Sequence, residues 1–428
     1  MKIFKFGGAS TKDAAGIKKV TNIIKNQMDS ELLIVVSALG KTTNAMENLL
    51  DTYYYDKTDK ENTFFSVKNA HFSILSELFD PKHEDVFKKI DDLFKQLYEN
   101  LNSDFSENYD FEYDKIVSFG ELIASKIIYF YMKKNGIDAV WVNARSIILT
   151  DNTYREGRVD WEKTTRRIKR IIEPIYAENK NKVAVTQGFI GGTNEGFTTT
   201  LGREGSDFSA AILGFSLNAE SVTIWKDVDG LLNADPKIFA DTVKLDKIPY
   251  REAIELAYYG ASIIHPKTLQ PLQSKKIPLY VKSFIHENSE GSVIHNFDIK
   301  RLIPCYIVKK NQVLISVSPK DFSFIAEENL SAIFGLFASF GVKINLMQNS
   351  AISFSFCVDN KPNINELINR LQTEFYVKYN VDVELFTIRY YDKNSINKIT
   401  KDKTVILEQK NRTTVQYVVK PTTTVPHQ

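Results

Sequence analysis

The opening segment KIFKFGGAS closes a short apolar run, Ile3 to Phe6, on two glycines and a serine, and a periodic helical pattern follows from about Lys12 to Gln27. The same order of apolar strand, small or polar terminus and helix returns in ELLIVVSALG (Glu31 to Gly40), KVAVTQGFIGG and SVTIWKDVDG. This repetition is the strongest constraint on the fold. Strands that alternate with helices build a mainly parallel sheet covered by helices, because a parallel connection needs a crossover long enough to hold a helix. Each run ends in Gly, Ser or Asp, and ligands of such sheets bind beyond the carboxyl ends of the strands. The chemistry of the chain is therefore expected where these ends gather.

Between about residues 44 and 135 the period changes to long helical stretches such as DVFKKIDDLFKQLYENL, which read as a helical subdomain inserted into the α/β pattern. After PLYVKSF (Pro278 to Phe284) the polar HENSEGS leads to a new segment beginning near Arg301. That segment reads strand 312–318, helix 329–340, strand 342–348, strand 352–358, helix 363–375 and strand 380–391, the βαββαβ order of a ferredoxin-like domain. Residues 393–428 then hold a hairpin, KTVILEQKNRTTVQYVVK, and a tail, PTTTVPHQ, expected to fray. Both hairpin arms alternate apolar and polar residues, so the hairpin needs a neighbouring sheet.

With 43% apolar residues, 428 residues suffice for two or three cored domains. The 55 basic and 53 acidic residues leave a formal charge of +2, which gives no support for nucleic acid or an anionic membrane as partner. No apolar run approaches the roughly 18 residues that cross a bilayer, so no membrane partner is expected. Cys305 and Cys357 follow no secretory signal and read as small core residues in a reduced, cytoplasmic setting. No His/Cys cluster has metal-ligand spacing, and His265, just before a proline at a helix boundary, reads as structural.

Two motifs carry the chemistry. TTTLGREGSDFSAA (Thr198 to Ala211) sets hydroxyls, glycines and closely spaced opposite charges at the start of an apolar helix, an environment suited to a phosphate or carboxylate. KFGGAS brings Lys5, the amides of Gly7 and Gly8 and the hydroxyl of Ser10 together at a strand end. Neither it nor LGKTT is a Walker A loop, the required first glycine of the latter being Val35. On residue type alone, Arg203 and Asp207 could also form a plain ion pair, Glu121 could merely complement a helix dipole, and Ser37 and Thr43 could cap turns.

KFGGAS, VVSALGKTTN, VSFGELIAS, TQGFIGG, TTTLGREGSDFSAA, IWKDVDGLLNADPK and ELAYYGASIIHP occur in the order and spacing of the aspartate kinases, members of the amino acid kinase superfamily. The chain resembles that family over residues 1–296, which the resemblance makes the catalytic domain, and 301–392 is similar to its ACT regulatory region. The resemblance implies transfer of the ATP γ-phosphoryl group to the β-carboxylate of L-aspartate, giving 4-phospho-L-aspartate for lysine, threonine and methionine synthesis. Mg2+ would be held mainly through the phosphates. Lys5 and Asp207 would be catalytic, the aspartate orienting the lysine. Gly7, Gly8, Ser10, Asp227, Leu232, Lys237, Ser262 and Ile263 would join Lys5 in holding the nucleotide. Ser37, Thr43, Glu121, Arg203 and Ser206 would bind aspartate, Glu121 by its ammonium and Arg203 by a carboxylate.

The chain departs from the family pattern at Lys226, Leu232, Lys237 and Ser262, where Thr, Tyr, Arg and Lys are common. It departs again at Glu204, which replaces a glycine and is expected either to face solvent or to pair with a lysine such as Lys41. A lysine or threonine effector is implied at Asp321, Phe324, Asn345, Asn349 and Ser350, between ACT-like domains paired in a homodimer or higher oligomer. Two other readings stay open. One is a different amino acid kinase, acting on glutamate, carbamate or a nucleoside monophosphate; the other is an inactive amino-acid-sensing regulator on the same fold.

Overall fold

The computed structural model describes residues 1–28, 30–177, 182–261, 264–298, 303–321 and 323–420. Its contacts divide the chain into one unit of Met1–Leu231, Lys244–Ile254 and Ile264–Asp298, and a second of Leu232–Val243, Glu255–Ile263 and Ile299–Gln428. The strands of the first unit are β1 (Lys2–Phe6), β2 (Leu32–Val36), β3 (Ala139–Val142), β4 (Val183–Gln187), β5 (Ile190–Gly192), β6 (Thr198–Thr200), β7 (Ser221–Lys226), β8 (Lys247–Pro249), β9 (Leu279–Ser283) and β10 (Ser292–His295). Eight of them form a sheet in the order β3-β4-β2-β1-β7-β9-β10-β8, and β5 and β6 make a separate ribbon. The pairings of the large sheet are parallel except where β10 meets β9. Every residue of β2 and β4 is buried. Covered on both faces, β2 reads as a continuous apolar run rather than as an alternation, and β4 is apolar as far as Val185 before closing on the buried Thr186 and Gln187.

Helix α1 (Ala14–Lys25) starts at Asp13, whose carboxylate accepts from Gly16 N at 2.7 Å, and buries Ile17, Val20, Ile23 and Ile24. The helical stretch between β2 and β3 is α2 (Thr42–Tyr54), α3 (Lys60–Leu78), α4 (Glu84–Leu101), α5 (Tyr109–Val117) and α6 (Phe119–Lys134). Its inward residues, among them Leu49, Phe64, Phe94 and Ile123, share one core with Phe4, Phe6 and Val36 of the sheet. The insertion is thus an extension of the sheet's own core. Next come α7 (Ala144–Ile147), α8 (Trp161–Ala177) and α9 (Gly205–Leu217). They precede α10 (Tyr250–Tyr259), which begins in the first unit and ends in the second, and α11 (Pro266–Ser274). Helix α9 is buried from Gly205 through Gly214, and a Cβ at Gly214 would lie 2.8 Å from a Val222 methyl, so glycine lets the helix lie directly on β7.

The second unit runs β11 (Cys305–Pro319), α12 (Glu327–Ser339), β12 (Ile344–Asn349), β13 (Phe354–Asp359), α13 (Ile364–Glu374), β14 (Phe375–Arg389), α14 (Lys393–Thr400), β15 (Thr404–Lys410) and β16 (Thr414–Lys420). Its antiparallel sheet has the order β12-β13-β11-β14-β16-β15. The first four strands and α12 and α13 are the ferredoxin-like unit, and the hairpin finds its neighbouring sheet by adding β16 to β14. Ile333 and Phe337 of α12 and Leu367 and Leu371 of α13 pack on Val313, Ile315, Phe356 and Val358.

Strands β11 and β14 each span 15 residues, longer than the runs 312–318 and 380–391 expected from pattern. Their register shifts between Lys309, Gln312 and Leu314, and Asn311 and Asp382 take left-handed φ values of 52° and 54°. Such a bulge breaks alternation, so KKNQ reads as the end of a strand. Helix α14 was not expected; Asp392 and Ser395 cap it reciprocally. The PTTTVPHQ tail lies outside the described residues.

Candidate active site

Lys5 stands one residue before the end of β1, on the face opposite Phe4 and Phe6. Its Nζ lies 2.6 Å from Oδ1 of Asp207, in the first turn of α9. Both residues are buried, and no donor is well aligned with that oxygen, so the contact is an ion pair rather than a directed hydrogen bond. A dry pair of this kind gains little by itself, because desolvation offsets most of the Coulomb attraction.

The Gly7-Gly8 turn follows immediately. A Cβ at Gly8 would stand 2.6 Å from the carbonyl oxygen of Gly40, whose N–H donates to Gly8 O at 3.1 Å. Only glycine lets the two loops close on each other. At Gly7 a Cβ would intrude to 3.3 Å from Lys5 Nζ, so glycine keeps the space beside the ammonium open. Ser10 is fully buried and donates to Trp225 O at 3.4 Å.

Glu121, in the first turn of α6, is 2% exposed. Its Oε1 accepts from Ala38 N at 3.3 Å, while Oε2 is buried with no partner. Burial pushes the carboxyl up to about 8, opposed by the Ala38 amide. The helix starts and strand ends surround a cleft of about 830 Å3 that brings together Lys5, Ser37, Thr43, Glu121, Arg203, Ser206 and Asp207. Arg203 is exposed and makes no ion pair among the described residues.

The other expected residues lie elsewhere. Asp227 is exposed beyond the end of β7 and is not part of the cleft wall. Leu232 and Lys237 belong to the second unit, where Leu232 is half-buried and Lys237 N donates to Asp235 at 2.9 Å. Ser262 and Ile263 lie outside the described residues. Glu204, at φ 54°, is exposed to solvent, the first of the two alternatives expected of it, and its carboxylate also accepts from His265 N at 2.8 Å rather than pairing with Lys41. The left-handed backbone accounts for the glycine that is usual there. His265 caps α11, its Nδ1 accepting from Lys267 N.

In the second unit Asn345 is enclosed in a polar network. Its Oδ1 accepts from Lys309 Nζ at 2.6 Å, and its Nδ2 donates to Gln312 at 2.7 Å and to Asp359 at 2.9 Å. Asp321 accepts from Ser323, and Phe324, Asn349 and Ser350 are exposed.

One wall of the cleft was not anticipated. It is formed by Asp110 and Tyr113 of α5 and by Thr153 to Glu156. Behind it Asp114, fully buried, accepts from Arg155 N at 2.9 Å, Thr200 N at 2.9 Å and Thr200 Oγ1 at 2.6 Å. Burial raises its carboxyl to about 6 against the pull of those hydrogen bonds. The i, i+3 spacing of Asp110 and Tyr113 and the polar turn TYREG were the available signals for this wall. Asp114 left none, since an acid in a helix ordinarily reads as solvent-facing. Among the described residues no group of three His, Cys, Asp or Glu could hold a metal, and no helix is long and apolar enough to cross a membrane.

A mainly parallel sheet whose first strand delivers a lysine to the carboxylate of a buried helix, beside a glycine turn, defines a phosphoryl-transfer class. The chain belongs to the amino acid kinase family, whose sequence model matches residues 1–283. Within that family it is similar to the lysine-sensitive aspartokinase 3 of Escherichia coli (strain K12), 28% identical over 366 residues that cover 83% of this chain and 78% of that protein. It is also 27% identical over 372 residues to the chloroplastic bifunctional aspartokinase/homoserine dehydrogenase 2 of Arabidopsis thaliana, of which the match spans 39%. The structure of E. coli aspartokinase III in complex with lysine and aspartate superposes with a TM-score of 0.83 at 24% identity, covering 98% of this chain and 96% of that one. Clostridium acetobutylicum aspartate kinase gives 0.78 at 22%, over 98% and 96% of the two chains. The fold is that of the aspartate kinases.

Proposed function

We propose that the chain transfers the γ-phosphoryl group of ATP to the β-carboxylate of L-aspartate, giving 4-phospho-L-aspartate and ADP. The observation that carries this reading is the orphaned Oε2 of Glu121, buried in the same cleft as the Lys5–Asp207 pair and Arg203. A buried carboxylate without a partner is costly, and a substrate ammonium would satisfy it. Arg203 offers two parallel N–H donors that suit the non-reacting α-carboxylate beside that ammonium. The E. coli aspartokinase III has been solved with aspartate and ADP, which agrees with this assignment.

The β-carboxylate is ionised at neutral pH, so no general base is required. One of its oxygens forms the new bond to the γ-phosphorus while the bond from that phosphorus to the β-phosphate oxygen breaks, and the electron pair leaves with ADP. Lys5, held in place by Asp207, neutralises charge on the transferring group, and the space that Gly7 leaves open beside its Nζ fits a phosphate oxygen. Magnesium would neutralise phosphate charge and be held mainly by the nucleotide. Incubation with MgATP, aspartate and hydroxylamine tests the reading: aspartyl hydroxamate should accumulate with aspartate and not with glutamate. No hydroxamate from any amino acid would sink it.

A further inference from the structure

The cleft presents two guanidiniums, Arg203 and Arg155, on loops that touch. A Cβ at Gly202, which has φ +73°, would lie 3.2 Å from Arg155 O, and Gly157 N donates to Thr200 O at 2.8 Å. Arg155 itself has φ +63°. A long side chain is strained in that left-handed region and persists there only where its surroundings over-determine it. Here the buried carboxylate of Asp114 supplies the constraint, gripping Arg155 N from one side and Thr200 from the other.

The side chain that this backbone delivers is poised rather than fixed. Its guanidinium lies 4.2 Å from the centroid of the Tyr113 ring, which orients it without using its N–H donors. One N–H reaches Asp110 at 3.3 Å, with both side chains about half exposed at 46% and 54%. An ion pair that exposed is weak and exchanges readily for another anion. Lys5, by contrast, is already committed to Asp207.

We infer that Arg155 is a second substrate-binding guanidinium, which exchanges Asp110 for the non-reacting carboxylate of the amino acid and so joins Arg203 in setting specificity for a dicarboxylic substrate. The inference rests on the proposed aspartate kinase reading and deepens it. Asp110 is then a built-in competitor that keeps the arginine solvated and oriented until substrate arrives. Removing the arginine and removing its competitor should therefore move aspartate binding in opposite directions. If Arg155 only braced the wall through Asp110, both changes would weaken binding alike.

The test compares the wild type with Arg155→Gly and Asp110→Asn, by aspartate calorimetry and by steady-state kinetics. Glycine removes the guanidinium while relaxing the left-handed backbone, so the fold survives. Arg155→Gly should raise the aspartate Kd and KM by about tenfold or more, with the KM for ATP unchanged and kcat within about twofold. Asp110→Asn should lower the aspartate KM severalfold. Unchanged aspartate affinity in Arg155→Gly, or a rise in KM in both variants, would overturn the role of Arg155 while leaving the kinase reading intact. A wild type that binds ATP but not aspartate would overturn the kinase reading instead, and this inference with it.

Discussion

Lys5 and Asp207 stabilise each other in a nearly dry site, so removing one partner has two separable consequences. Lys5→Ala should lower kcat about a hundredfold or more through lost charge stabilisation, and it should also destabilise the fold by leaving Asp207 buried and uncompensated. The double variant Lys5→Ala/Asp207→Asn should recover the stability but not the turnover; recovery of both would remove the lysine from the chemistry. Glu121 makes a pH prediction. Its folded carboxyl stands near 8 against an ordinary 4.5, so between those values the folded chain holds a proton that the unfolded chain has lost. Stability of the ligand-free protein should therefore fall as pH rises through that window, by up to about 1.4 kcal/mol per unit, and Glu121→Gln should flatten the slope. An incoming ammonium reverses the preference and expels the proton. Aspartate titrations at pH 7 in buffers of different ionisation enthalpy should show proton release in the wild type and none in Glu121→Gln, and buffer-independent wild-type heats would contradict the ammonium role. These residues were legible because each stands at a strand end or helix start inside a recognisable motif. Arg155 and Asp114 were not, because the hydrogen bonds that give them meaning join positions 41 and 86 residues apart.

At the scale of elements, the clasp between the Gly7-Gly8 turn and the Ala38-Leu39-Gly40 loop sets the floor of the site. Gly8→Ala would place a methyl 2.6 Å from one backbone carbonyl and 3.0 Å from another, neither of which can rotate away. A cost of ~1–3 kcal/mol is expected, together with a fall in kcat, because Lys5 shares the displaced segment. Thermal unfolding and turnover measured on the same variant check this; a full-activity, full-stability alanine would mean the loops are not held together. The parallel core was legible for a related reason. A doubly covered strand such as LLIVV has no polar side to disguise it, and Asp13 marks the start of α1. Strands β11 and β14 were legible only in part, since the bulge near Gln312 interrupts their alternation. Helix α14 is too short and too polar for periodicity to announce, and only the Asp392-to-Ser395 cap betrays it.

For the molecule as a whole, the ferredoxin-like topology of the second unit is the basis for expecting feedback, and lysine is the first effector to try. If lysine binds there and inhibits, it must bind two conformations unequally, so lysine should weaken aspartate binding by the same factor that aspartate weakens lysine binding. Calorimetric titrations with each ligand in the presence of the other, with threonine as comparison, decide the matter; no binding of either amino acid at millimolar concentration would leave the unit a structural role alone. The composition of that unit has a consequence for how the protein is made. Ala234 and Phe239, from a short loop of the kinase portion of the chain, share a core with Phe386, Ile388, Val415 and Tyr417. On a ribosome adding roughly 5–20 residues per second, the loop emerges about 7–30 s before the first of those partners, which follow roughly 150 residues later. During that interval its apolar side chains are exposed on a nascent chain that still lacks β14 and β16, the strands that carry those partners. The native core around Phe239 is therefore among the last parts of the protein to close, and a pause in translation beyond residue 240 would prolong the period in which a chaperone or a protease can reach it.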